Sequence, residues 1–201
     1  MPVAALIIYV VWFALTGVAR AVISRRMTGD SGWRGFSGRP LSPEWLAGVG
    51  FGVALVIGIA APVAALAGLD PVFTPPTVAL GVGLVLALVG VPSTLAAQLS
   101  MGTSWRVGVD ESERTDLVHG GPFTVVRNPI FTAMIVTSVG LTLLVPNVVA
   151  LLGLATLLAS FEVQVRRVEE PYLLATHGSD YADYAASVGR FVPGLGRLRV
   201  T

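Results

Sequence analysis

Long runs without a charged residue alternate with short polar stretches along this chain. No charge precedes Arg20, and 25 uncharged residues, Trp45 to Leu69, separate Glu44 from Asp70. A further 35 lie between Asp70 and Arg106, and 34 between Arg127 and Glu162. About 20 apolar residues are needed for a helix to cross the hydrocarbon core. The pattern therefore predicts a first span over Val3–Ile23, a second over Trp45–Leu69, and a third over Thr77–Gln98 that kinks near Pro92. The last run is too short for two full spans, but Pro146-Asn147 punctuates its middle. It reads as a tight helical hairpin, Ile130–Val145 and Val148–Val168, whose second helix leaves the membrane at its end. The expected fold is an all-α integral membrane protein. It has five transmembrane helices, the last two forming the hairpin, and a cytoplasmic C-terminal helical segment.

Composition agrees with a membrane environment. The chain of 201 residues is 54% apolar and 12% charged, against about 25% charged in soluble domains. There is no cysteine, which removes disulfides, thiolate metal sites and cysteine nucleophiles. No His/Asp/Glu set has metal-ligand spacing, the two histidines being 58 positions apart. A net charge of +1 by itself argues neither for nor against a nucleic-acid partner, and none is expected. The first span lacks the basic leading region of a signal peptide.

All 13 basic residues are arginines, and their placement sets a topology. Arg20, Arg25, Arg26, Arg34 and Arg39 lie in or beside a Gly-, Pro- and Ser-rich loop, 24–44. Its aromatics Trp33 and Phe36, with Trp45, suit a membrane interface. Arg106, Arg114 and Arg127 lie in 99–129, and the other five follow residue 165. With five spans these three regions share one side, and the opposite side carries no arginine. Positive charge marks the cytoplasmic side. The N-terminus is thus expected outside, with the C-terminus and the polar chemistry at the cytoplasmic face of the cell membrane. Two regions follow: 1–98, three helices with the 24–44 loop, and 99–201, which carries the candidate chemistry.

In that second region, Gly120-Gly121-Pro122 is a turn where backbone can approach a ligand. Asn128 or Pro129 starts the next helix, whose free N–H groups suit an anion, and Arg127 adds a planar donor fork. On the continuing second hairpin helix, Glu162, Arg166, Glu169 and Glu170 have the spacing of i,i+3 and i,i+4 pairs. They form either a solvated ion-pair ladder or a carboxylate pair holding ribose hydroxyls and a cationic group. Pro171 should kink that helix. His177-Gly178 ends it, Ser179 is placed to cap another, and Tyr181, Tyr184, Val188 and Phe191 would share a face.

Together, Gly121-Pro122-Phe123-x-x-x-Arg127-Asn128-Pro129 and Glu169-Glu170…Tyr181-x-x-Tyr184-x-x-x-Val188-x-Arg190-Phe191-x-Pro193 resemble the isoprenylcysteine carboxyl methyltransferase family, itself related to phospholipid methyltransferases. The resemblance covers about residues 100–194; the first three spans match only in being hydrophobic. It implies an integral membrane methyltransferase that uses S-adenosylmethionine on a lipid-like or isoprenoid-type acceptor, with the bilayer as its setting and no metal. It also implies a cofactor pocket of His119, Gly120, Gly121, Phe123, Val126, Asn128, Pro129, Glu170 and Tyr181, and catalytic roles for Arg127, Glu169 and Arg190. Trp105 and Arg106 fall to the substrate. Family members usually carry His where Asn128 stands, and Asn cannot carry a charge. Two other classes compete, an NADPH-dependent membrane sterol-type reductase and a non-catalytic small membrane protein. The Arg-Asn-Pro and Glu-Glu combination favours the methyltransferase.

Overall fold

The structure is a computed structural model and describes residues 1–32, 38–105 and 117–198. It is built on helices, as the hydropathy pattern requires. Helix α1 runs Pro2–Thr28, α2 Pro43–Leu66, α3 Thr77–Ser100, α4 Pro129–Leu144 and α5 Val148–His177, and a short α6 spans Ser179–Ser187. Four of these, α1, α2, α3 and α5, are long and apolar enough to cross a membrane. Helix α4 is apolar but has only 16 residues, about 24 Å at 1.5 Å per residue.

Several boundaries differ from the hydropathy reading. Helix α1 continues past Ile23 to Thr28, where Gly29 at φ +79° stops it, because Arg25 and Arg26 favour a helix C-terminus. The connector after it is correspondingly shorter than 24–44, and Trp33, Arg34 and Phe36 lie outside the described residues. Helix α3 passes through Pro92 unbroken. Helix α5 extends to His177 by adopting a π-helical turn, Gln164–Glu169, that ends two residues before Pro171. That wider turn suits a residue with no N–H to donate. Gly178, at φ +55°, joins α5 to α6, so Ser179 is the first residue of α6 and not its cap.

Small residues decide which helices pair. A Cβ on Gly140 of α4 would stand 2.5 Å from the backbone nitrogen of Ala87, and one on Gly90 2.8 Å from that of Thr137. The α3–α4 backbones are therefore in direct contact, as small-residue seams allow in membrane helices. Helix α2 pairs with α5 through glycines that receive side chains, Gly50 facing Ser160 and Gly153 facing Ile57. Helix α1 closes the bundle through Tyr9, whose hydroxyl donates to the Leu55 carbonyl at 2.5 Å. Ala5, Tyr9, Trp12, Ala54, Ala87, Met134, Leu157 and Phe161 fill the centre.

Two ends can be told apart. At one, Val72 N–H donates to the Pro146 carbonyl at 2.8 Å, and buried Asn147 donates to Ala61 and caps α5 through Ala150 N–H. At the other, Arg20 donates to the Gly102 carbonyl, and the Gly121 turn lies near Ser100. The second end carries the polar segments. Arg20, placed by its sequence beside the 24–44 loop, is 1% exposed, inside the bundle.

Candidate active site

The centre of the polar end is a buried carboxylate held by two arginines. Glu170 Oε1 accepts from Arg127 Nη2 at 2.6 Å and from Arg190 Nε at 2.8 Å, and Oε2 accepts from Arg190 Nη2 at 2.9 Å. The three residues are 5%, 5% and 8% exposed, so these charge-assisted bonds act in low dielectric. The Glu170 bonds hold the Arg190 guanidinium further above its ordinary value. Two cations against one anion leave a net positive charge in the cluster.

The π-helical turn explains why Glu170 points inward. A regular helix would pair Arg166 with Glu169 or Glu170 at i,i+3 and i,i+4; among the described residues only the Glu162–Arg166 pair of that ladder forms, on the surface. The extra residue in the turn rotates Glu170 to the core, and Glu169 instead accepts from Gln164 Nε2 at 3.1 Å, five residues back. The five-residue spacing of Gln164 and Glu169 belongs to a π turn, so a search at i+3 and i+4 passes over Gln164.

Chain segments from both motifs are stitched together around this cluster. Val126 and Gly189 form a parallel bridge. Arg127 N–H donates to Gly189 O at 2.8 Å, while Asn128 N–H and Nδ2 both donate to Arg190 O at 3.1 Å. Thr132, one turn into α4, donates to Phe191 O. Arg127 Nη1 reaches Ala185 O and Val188 O at 2.9 and 2.6 Å, and Nη2 also reaches Gly196 O at 3.1 Å. Arg127 is thus both a charge and a structural clamp, and its Nε is a buried donor with no partner. Gly189 is required by contact, since a Cβ there would lie 2.2 Å from Val192 O.

The remaining predicted residues extend outward from Arg127. Tyr181 is 2% exposed; burial pushes its phenol up to about 12 against the opposing pull of the Arg127 guanidinium. Tyr184 packs edge-on to Tyr181 and donates to Phe123 O at 2.6 Å, so the phenol clamps the Gly121–Thr124 turn. Its own pKa is also raised to about 12 by burial. His119 lies beside the Tyr184 ring at 6.3 Å between centroids. Gly120 and Gly121 are exposed, Gly121 at φ +59°. Phe123 and Val126 are buried, and Pro129 is the first residue of α4. Trp105 is placed elsewhere, its ring 4.4 Å from the Arg20 guanidinium. Arg106 lies outside the described residues. The sequence reading missed Gln164 and Gly189, and the inward position of Arg20.

Three comparisons bear on this arrangement. The family model described as phospholipid methyltransferase matches residues 78–180. Protein-S-isoprenylcysteine O-methyltransferase A of Arabidopsis thaliana is 29% identical over 113 residues, 55% of this chain and 57% of the relative. The protein-S-isoprenylcysteine O-methyltransferase of Dictyostelium discoideum is 29% identical over 116 residues, 57% of this chain and 49% of the relative. The chain thus spans about half the length of the curated relatives it matches. In fold it is similar to the eukaryotic intramembrane Ras methyltransferase, isoprenylcysteine carboxyl methyltransferase. The TM-score is 0.56 at 18% identity, covering 98% of this chain and 70% of that one.

Proposed function

This chain belongs to the phospholipid methyltransferase family, and from that premise we propose that it transfers a methyl group from S-adenosylmethionine to the carboxylate of an isoprenoid-type or other lipid-like acceptor. The observation that carries the reading is the buried Arg127–Glu170–Arg190 cluster, which joins the two motif segments and retains net positive charge. The curated relatives are named as O-methyltransferases of isoprenylcysteine, which favours an acceptor carboxylate.

The donor set suits this cofactor. It carries a carboxylate, an ammonium and ribose hydroxyls. The cluster's surplus positive charge and the unpartnered Arg127 Nε favour a carboxylate. Glu170 is committed to the arginines, so Glu169, half-buried beside it, is the acidic group left for hydroxyls or an ammonium. When bound, the cofactor supplies an electrophilic methyl on a sulfonium. The chain's contribution is alignment of the acceptor for in-line displacement, a task of positioning. An ionised carboxylate needs no general base, so an uncharged Asn128 is compatible with the reaction. His119, Gly120 and Gly121, at the exposed rim, would border the cofactor.

In this reading the chain crosses the bilayer five times, with α4 and α5 as a hairpin. The N-terminus lies outside, and the site faces the cytoplasm. The polar cofactor enters from that side and the acceptor laterally from the lipid.

The test is methyl transfer by purified protein with labelled S-adenosylmethionine and an S-isoprenylcysteine. The expected product is a methyl ester that releases its label as methanol in mild base. Labelled product stable to base would point to nitrogen as the acceptor atom. No transfer to this substrate or to extracted lipid would overturn the reading.

A further inference from the structure

Among the described residues, Arg20 is a buried cation that no carboxylate pairs. It is 1% exposed. Its Nη2 donates to Gly102 O at 2.9 Å and to Gln98 O at 3.5 Å, leaving Nε and Nη1 buried and without partners. The indole of Trp105 covers one face of the guanidinium. Gln98, 6% exposed, ties its Nε2 to Thr16 O within the π-helical turn Ala14–Ala19 of α1 and leaves Oε1 unpartnered. Cation–π contact and two carbonyl bonds offset only part of the desolvation of a buried charge. Water can satisfy donors but does not neutralise the charge.

We propose that Arg20, Gln98 and Trp105 form an anion site for the acidic headgroup of an amphiphile, a carboxylate or a phosphate. Nε and Nη1 would donate to the oxyanion, and Gln98 Oε1 would accept an N–H or O–H neighbouring it. The place fits such a ligand. Arg20 lies at the polar end of the bundle, where a headgroup sits when its tail lies among the helices. The end of α3 carries Gln98 and, two residues on, Ser100, which lies near the Gly121 turn of the candidate active site. The proposal does not depend on methyl transfer: the site would bind the headgroup even if the chain methylated nothing.

Binding, not turnover, is the measurement. Wild type in neutral detergent micelles is titrated with an S-isoprenylcysteine and with its carboxamide, which share a tail and differ in charge. In a second arm, thermal stability is compared in phosphatidylcholine nanodiscs with and without phosphatidylglycerol. A single charge-assisted contact predicts a preference of roughly tenfold or more for the charged partner in at least one arm. Preference for the carboxylate alone identifies the acceptor as the source, and stabilisation by phosphatidylglycerol alone identifies a membrane phosphate. Arg20→Met should abolish the preference and be at least as stable as wild type in neutral micelles, since it removes a buried charge that no carboxylate among the described residues pairs; Arg20→Lys should keep part of the preference. Equal affinity of wild type for charged and neutral partners in both arms overturns the proposal, as does a preference that survives in Arg20→Met. An Arg20→Met protein that unfolds in neutral micelles also counts against it, because the guanidinium would then stabilise the bundle without any anion.

Discussion

Arg190 holds Glu170 with two prongs, Nε to Oε1 at 2.8 Å and Nη2 to Oε2 at 2.9 Å, across 20 positions of sequence. Arg190 follows α6 and Glu170 lies in the last third of α5, so the contact folds the C-terminal segment back onto the bundle. The same carboxylate receives Arg127 from the start of α4. One anion therefore fixes three separate pieces of chain.

Replacing Glu170 and Glu169 should have different consequences. Glu170→Gln leaves two buried guanidinium groups without their anion, which costs about 3–5 kcal/mol. The expected result is a strongly lowered unfolding midpoint. Glu169 touches Gln164 and no arginine among the described contacts. Glu169→Gln should keep the wild-type midpoint while weakening S-adenosylhomocysteine binding by about 1.5–3 kcal/mol, the worth of a hydrogen bond to a charged group. Calorimetric binding and thermal unfolding of both variants check this. Equal effects of the two substitutions on both readouts would remove the division of labour.

Arg127→Lys tests the clamp. Lysine can keep the charge beside Glu170 but cannot span Ala185 O, Val188 O and Gly196 O with a planar fork. Loss of two such bonds should cost roughly 3 kcal/mol or more, and methyl transfer should fall with it at every temperature. Arg25, exposed near the end of α1, provides the control, and Arg25→Lys should match wild type. Native stability and rate in Arg127→Lys would show that the planar fork is not required.

Helices and their order were legible because uncharged runs of membrane length are a strong and simple signal. The turn at Pro146-Asn147 and the start of α4 at Pro129 were readable from punctuation residues, and the Arg127, Glu170 and Arg190 positions from motif resemblance. Three features were hidden for physical reasons. The π-helical turn at Gln164–Glu169 breaks the i,i+4 rule, so the expected ladder partners of Arg166 are redirected and Gln164 goes unnoticed. The burial of Arg20 depends on a cover, Trp105, that is 85 residues away in sequence. The close packing at Gly189 depends on carbonyls of Val192 and Leu195 that fold back within a few residues, a bend that the Pro193-Gly194 pair only hints at.

Tyr181 and Tyr184 imply an alkaline limit. Both phenols have folded pKa values raised to about 12 by burial, above the ordinary value near 10. The folded state therefore holds these protons more tightly than the unfolded chain. Their contribution is complete below pH 10 and is lost as pH rises from 10 toward 12. Unfolding midpoints should be insensitive to the phenols between pH 7 and about 9.5 and should fall above pH 10. Tyr184→Phe should lose about 1 kcal/mol at neutral pH, the bond to Phe123 O, and should show a shallower alkaline decline. An unchanged alkaline slope in Tyr184→Phe would show that this phenol does not titrate with unfolding.

Membrane orientation can be tested cleanly because the chain has no cysteine to remove. Arg39, Asp70 and Arg197 are exposed and lie in three separate connecting or terminal segments. The bond of Arg20 to Gly102 and the nearness of Ser100 to the Gly121 turn gather the polar segments at one end of the bundle, and the Val72–Pro146 bond marks the other. If five crossings separate these ends, Arg39→Cys and Arg197→Cys should react with an impermeant maleimide only after the cells are opened, and Asp70→Cys should react in intact cells. A crossing by only the four long helices, with α4 lying along the surface, would move Arg197 to the side opposite Arg39. Labelling of Arg197→Cys in intact cells while Arg39→Cys stays protected would therefore exclude α4 as a span, and with it the cytoplasmic placement of the Arg127–Glu170–Arg190 cluster.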